Sequence, residues 1–406
     1  MLKQYIIRFI PFLSAMIIAF TACNDNLSPN DSDYRYQVPE ESGDGWTVAS
    51  MASVGMDESV LEDLMDNLVE YENHYINSIL VVRHGQLVFE EYFPGVQIDL
   101  ITDNDRPYEE VLVPVPVSYD RNTLQYQGSV SKGFTSVLVG IAIDRGFISG
   151  IDEKLFSFFP EHADLNDEQR DKITIQHMLT MTSGLDWHDD DIDGEESDEI
   201  AHFVSSHPDS FVLSLDMLGD PGTVYDYNSG TTCLLGEIIH RTSSMSLQDF
   251  AQQYLFTPLN IDSYHWVTLP NDSDYSFASG GLYLTPRAMA KFGQLYLQRG
   301  TWEGNQVIPA TWIDSTLTPW ISMRTGTTKW TEMGFGYHWF LGVFGDYDYS
   351  FSVTQGWGGQ FIFIIPEVDL VVVFTGGNYE ANSPTYSDPF NAIDLIVSDY
   401  ILDAIE

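Results

Sequence analysis

Apolar residues recur at helical spacing from Met56 to Tyr71, which puts Val60, Leu64, Leu68 and Tyr71 on one face. The pattern then changes. Ser78 to Phe93 holds two dense apolar runs, Ile79-Leu80-Val81-Val82 and Leu87-Val88-Phe89, split by His84-Gly85; this predicts a β-hairpin. Helical spacing returns from Gly128 to Arg145, with Val130, Phe134, Val137, Leu138, Ile141 and Ala142 on the inner face. Residues 150–300 read as mixed helices and loops. Strands come back near the C-terminus: Phe361 to Ile365 and Leu370 to Phe374 flank Pro366-Glu367-Val368-Asp369, a second hairpin. Phe390 to Ile405 reads as a closing amphipathic helix, with Phe390, Ile393, Ile396, Val397, Tyr400 and Ile401 inward.

Strands at both ends with helices between them predict an α+β fold. The end hairpins would share one antiparallel sheet, and residues 46–406 would form a single module with an inserted helical region. No internal repeat is evident.

The first 45 residues differ in character. Lys3 and Arg8 precede the apolar stretch Ile6 to Phe20, followed by Thr21-Ala22-Cys23, the layout of a secretory signal peptide. Residues 1–22 are therefore expected to be a leader of the lipoprotein type, with Cys23 the lipidated residue, although Phe20 departs from the usual leucine-like position. Residues 23–45, rich in Asn, Asp, Ser, Pro and Glu, are expected to be a flexible tether. Together these features place the protein in the cell envelope, held to a membrane only through that anchor. Beyond the leader, no apolar run approaches the ~20 residues that span a bilayer.

Charge excludes a further class. Asp and Glu number 60 against 17 Lys and Arg, a formal net charge of −43. Such a surface repels phosphate backbones, so no nucleic-acid partner is expected. Strongly hydrated carboxylates, whose repulsion salt screens, suit a saline exterior. Only two cysteines occur, Cys23 and Cys233, too few for a disulfide framework. Cys233 lies in an apolar run and reads as a small buried packing residue.

The candidate chemistry begins at Ser129-Val130-Ser131-Lys132. A serine and a lysine three apart share one helix face. A hydroxyl becomes nucleophilic only when a base takes its proton, and a lysine serves as that base only when uncharged. Ser129 falls where the helix is expected to begin, so free N–H groups would favour an alkoxide there. No other lysine has a serine three residues before it. The motif alone balances evenly against a solvent-facing lysine.

Five segments in order resemble the serine β-lactamases and penicillin-binding proteins, especially their class C-like esterase and amidase branch. They are GSVSKGFTSVLVGIAIDRG (128–146), QHMLTMTSG (176–184), PGTVYDYNSGTTCLLGEIIHRTS (221–243), ASGGLYLTPRAMAKFGQLYLQRG (278–300) and GWGGQFIFIIPEVDLVVVFTGG (356–377). Tyr227-Asn228-Ser229-Gly230 and Gly356-Trp357-Gly358-Gly359-Gln360 look closest to relatives of 6-aminohexanoate-dimer hydrolase. The resemblance implies a β-lactamase/transpeptidase-like fold and a secreted serine hydrolase working through an acyl-enzyme. Ser129 would be the nucleophile and Lys132 its base. Tyr227 would be a proton-passing phenol whose pKa a neighbouring cation lowers. The backbone N–H groups of Ser129 and Trp357 would form the oxyanion hole, with Gly356 allowing close approach of substrate. Ser229 would contact substrate, and Trp187 would be an aromatic wall at the mouth.

Two departures steer the substrate. Ser229 stands where the family usually carries Asn, and Thr354-Gln355-Gly356 stands where it carries Lys-Thr-Gly or His-x-Gly. With no cation there, an anionic substrate is disfavoured and small neutral esters or amides are favoured. The rival readings are a β-lactamase or D-alanyl-D-alanine carboxypeptidase, and a catalytically silent binding module. No cofactor or metal is expected. Asp189-x-Asp191-x-Asp193-Gly194 begins like a calcium loop but has Ile200 at the position that requires Glu. There is no Gly-x-Ser-x-Gly elbow, no His-Glu-x-x-His and no phosphate-binding Gly-x-x-x-x-Gly-Lys.

Overall fold

A computed structural model describes residues 34–70, 75–100, 112–189, 197–323, 330–379 and 396–405. The leader, Cys23, the first part of the tether and most of the Asp189–Gly194 loop lie outside them. So do Phe390 and Ile393 of the closing helix.

Among the described residues, nine strands form the main sheet: β1 (Thr47–Val48), β2 (Ile76–Arg83), β3 (Gln86–Tyr92), β4 (Ile321–Met323), β5 (Trp330–Phe335), β6 (Phe340–Phe344), β7 (Tyr349–Gly356), β8 (Gln360–Ile365) and β9 (Leu370–Gly376). Their spatial order is β1-β3-β2-β9-β8-β7-β6-β5-β4. All neighbours are antiparallel except β1 and β3. Pairing of β2 with β9, from Leu370 opposite Arg83 to Thr375 opposite Ser78, joins the two ends of the chain as the sequence predicts. Both expected hairpins are present, the first turning through His84 and Gly85, both at positive φ.

The central strands read as unbroken apolar runs because both faces of the sheet are covered. Leu80, Val82, Ile362, Ile364, Val371 and Val373 face one core. Ile79, Val81, Phe361, Phe363, Val372 and Phe374 face the other, beneath helix α1 (Glu58–Glu70) and the closing segment Val397–Leu402. The buried face of α1 is Leu61, Leu64, Met65 and Leu68; it keeps Leu64 and Leu68 of the expected stripe, leaves Val60 only partly buried, and Tyr71 lies outside the described residues. The closing segment winds as a π-helix with Val397 and Ile401 fully buried.

Helix α2 (Val130–Asp144) is buried on all sides from Val130 to Ala142, so its polar residues are interior too. It is wedged between the sheet and the inserted helical region, which is why no solvent face shows in its sequence. Phe134 stacks on Phe292 at 3.7 Å between ring centroids. Two of its buried polar side chains bond the backbone of residues 278–282. Thr135 Oγ1 donates to Ala278 O at 2.9 Å, and Ser131 Oγ accepts from Leu282 N at 3.2 Å.

Residues 34–45 differ from the expected tether: they lie along the domain. Tyr34 N donates to Asp66 and Tyr36 OH to Val88 O. The guanidinium of Arg287 binds Glu40 O, Ser42 and Asp44, and Lys291 Nζ donates to Asp44 O. Polar composition suggested a free linker, but here the polar groups are partners for two buried cations. No helix among the described residues is long and apolar enough to cross a membrane.

Candidate active site

Four parts of the chain converge at the start of α2. Ser129 is the N-cap residue, yet its side chain makes no capping bond. N-cap serines normally spend the hydroxyl on the helix N–H groups. Here it accepts instead from Lys132 Nζ at 2.9 Å. The ammonium also donates to Ser279 O at 3.2 Å and is 1% exposed. Lys132 lies one helical turn beyond Ser129, as the spacing predicts.

Tyr227 comes from the loop before helix α4 (Ser229–Ser243), with its ring centroid 4.9 Å from Lys132 Nζ. Buried Asn228 fixes that loop, its Oδ1 accepting from Thr231 N at 2.8 Å to cap the helix. Strand β7 supplies the fourth part. Its last residues pass so close to residues 127–129 that a Cβ on Gly356 would lie 2.1 Å from Gln127 O and 3.1 Å from Ser129 N. Gly128, at φ +51°, is equally tight: a Cβ there would meet Trp357 N at 3.0 Å. The N–H groups of Ser129 and Trp357 thus belong to two backbones in contact.

A narrow cleft opens over this junction, lined by Ser129, Lys132, Tyr227, Phe335, His338, Phe340, Thr354 and Gln355. His338 Nδ1 lies 2.9 Å from Lys132 O, an acceptor only, so Nδ1 carries the proton. Burial pushes the imidazole down to about 4, so it is neutral near pH 7. Among the described residues, Lys132 is then the one ion-bearing side chain lining the cleft, and none of them places a second cation where the family's third-motif lysine stands.

The charge states differ from the expectation. Burial pulls the Lys132 ammonium down, but Tyr227, Asp189 and Glu199 together outweigh it and raise its pKa. The resting amine is charged, not neutral. The phenol of Tyr227 moves up as well, because burial outweighs the pull of Lys132. Productive chemistry therefore starts from an ammonium and a phenol, and one proton must leave the pair.

Two expected substrate contacts lie elsewhere. Trp187 is 3% exposed and sits in the core, its indole N–H donating to Asp189 Oδ1 and its ring against Phe211 and His202. Gly230 makes room for that ring: a Cβ there would lie 2.4 Å from it. Trp187 is a packing residue. Ser229, the first residue of α4, is 1% exposed and does not line the cleft. The aromatic wall is made instead by Phe335 and Phe340, whose rings meet edge-on at 5.0 Å. Their strands carry no motif, so only the folded sheet reveals them.

The family model for Beta-lactamase matches residues 62–389. The chain belongs to the beta-lactamase family. Among curated relatives, 6-aminohexanoate-dimer hydrolase of Paenarthrobacter ureafaciens is 27% identical over 63% of this chain and 60% of its own length. Beta-lactamase of Escherichia coli (strain K12) is 27% identical over 60% of this chain and 62% of its own. The chain thus spans about three fifths of the length of these two relatives. The crystal structure of a family VIII carboxylesterase overlays with a TM-score of 0.57 at 17% identity, covering 80% of this chain and 94% of that one. This beta-lactamase-family member therefore has the β-lactamase/transpeptidase-like fold expected from the sequence.

Proposed function

We propose that the protein is a serine hydrolase that cleaves small neutral esters or amides through an acyl-enzyme on Ser129. The observation that carries the reading is the hydroxyl of Ser129, free of capping duty and 2.9 Å from a buried lysine amine at a helix start. In this scheme the Lys132–Tyr227 pair gives up one proton and then takes the proton of Ser129 Oγ as the oxygen attacks the substrate carbonyl. The oxyanion forms between the N–H groups of Ser129 and Trp357. Tyr227 passes a proton to the leaving group, and water, activated by the same pair, releases the acid.

The lining of the cleft supports the substrate class. Phe335 and Phe340 offer an apolar wall for the acyl chain, and among the described residues no second cation lines the cleft beside Thr354 and Gln355 for a substrate carboxylate. Relatives named for amide and β-lactam hydrolysis are consistent with acyl transfer at such a site. Secretion and lipidation at Cys23 belong to the same proposal. The test is a panel of p-nitrophenyl acetate, linear amides and nitrocefin. Turnover of the ester well above nitrocefin is expected; nitrocefin hydrolysed as fast would replace this reading with a β-lactamase.

A further inference from the structure

Lys132 is a buried ammonium whose hydrogen-bond partners, Ser129 Oγ, Ser279 O and the Tyr227 phenol, are all neutral. A buried cation without compensation is costly, so its counter-charge must come from groups farther off. Ser279 leads to one of them. Its carbonyl accepts from Lys132 Nζ, and its hydroxyl donates to Glu199 Oε1 at 3.4 Å. Ser279 is fully buried and receives a further contact from Cys233 Sγ at 3.4 Å. Glu199 stands in the first turn of helix α3 (Asp198–Phe203), which Ser197 caps. It does not line the cleft.

We propose that Glu199 is a positioning residue for Lys132, acting through Ser279: its carboxylate supplies the counter-charge that keeps the buried amine protonated and aimed at Ser129. The inference rests on the hydrolase reading above. The surroundings of Glu199 isolate its effect. Among the described residues, Asp189 and Lys132 are the charged groups that face it. Tyr126, Tyr227 and Cys233 are all pushed up by burial and stay neutral near pH 7. Burial and Asp189 lift Glu199 to about 7, while Lys132 and the Ser229 and Ser279 hydroxyls hold it down. Its charge is therefore switchable near neutrality, and every gain in that charge tightens the hold on the proton of Lys132.

The sign of the effect follows. Productive enzyme must lose one proton from the Lys132–Tyr227 pair, which sets the ascending limb of kcat/KM against pH. Removing the carboxylate lets that proton leave more readily. The experiment measures this limb with p-nitrophenyl acetate, using the full chain. Glu199→Gln is expected to move the limb to lower pH by about one unit or more, since a charge several Å away at intermediate dielectric contributes on that scale. Glu199→Asp draws the carboxylate back by one methylene and is expected to give a smaller shift in the same direction. Near-UV circular dichroism reports folding; if Glu199→Gln fails to fold, Glu199→Asp carries the test. A folded variant whose limb stays at the wild-type pH overturns the inference. Wild-type protein that turns over no ester and takes no label at Ser129 overturns the hydrolase reading instead. A residue that merely packs would change the height of the profile and leave its position alone.

Discussion

Replacing Gly356 by alanine probes the contact between strand β7 and the start of α2. The new Cβ would lie 2.1 Å from Gln127 O and 3.1 Å from Ser129 N, and both are backbone atoms with no side-chain freedom to yield. Carbon and oxygen need about 3.2 Å between them, so one backbone must retreat by roughly 1 Å. Gly356 has no positive φ, so the obstacle is steric rather than conformational. The retreat separates the N–H groups of Ser129 and Trp357, which are proposed to bind the oxyanion. Losing one such donor costs about 10²–10³ in kcat, and a misplacement of about 1 Å costs a similar factor. We therefore expect Gly356→Ala to lower kcat for p-nitrophenyl acetate by 10²–10³, with a smaller change in KM. The protein should remain folded, since the change lies at a strand end. A folded Gly356→Ala enzyme with wild-type kcat would refute the assignment of this gap as the oxyanion site.

Tyr227→Phe should lower kcat by roughly 10²–10⁴, the range for general acid–base groups, and steady-state ester hydrolysis measures it. Ser129→Ala should abolish turnover while near-UV circular dichroism still reports a folded protein, since the hydroxyl caps no helix N–H. Arg287→Met should destabilise the fold by about 3–5 kcal/mol in urea, because it strands Glu90, 4% exposed, beside an apolar side chain. Acid stability should depend on His202, which burial pushes down to about 3 and whose Nε2 has no hydrogen-bond partner. The unfolded chain binds a proton there below about pH 6.5 and the folded one only near 3, so stability falls as pH drops through that window. His202→Phe, with its ring still among Trp187, Phe211 and Tyr275, should shift acid unfolding to lower pH.

Much of the scaffold was legible because local pattern and tertiary burial agree there. The two hairpins and α2 are short segments with strong periodicity and clear turn residues. Ser129 and Lys132 are legible through their spacing and Tyr227 through the family resemblance alone, and the fold brings all three together. Other features depend on long-range packing. Trp187 was assigned to the mouth because its loop borders the site in relatives, but Gly230 leaves room for it to sink into the core. Ser229 was read from motif position, and as the first residue of α4 it turns inward. Glu199 carries no motif, and Ser279 lies in a family-like segment that says nothing of its partner; their link to Lys132 exists only once residues 278–282 lie along α2. The charge of Lys132 was misjudged for the same reason: burial could be foreseen, but the carboxylates of Asp189 and Glu199 could not. Residues 34–45 looked like solvent-loving linker, when their polar groups are the partners of Arg287 and Lys291.

The most direct test is covalent. Full-length protein is treated with a fluorophosphonate probe, digested and mapped by mass spectrometry, with Ser129→Ala in parallel. One adduct, on the peptide bearing Ser129 and absent from the variant, is the outcome this account requires. An unlabelled protein, or a label on any other serine, would contradict it.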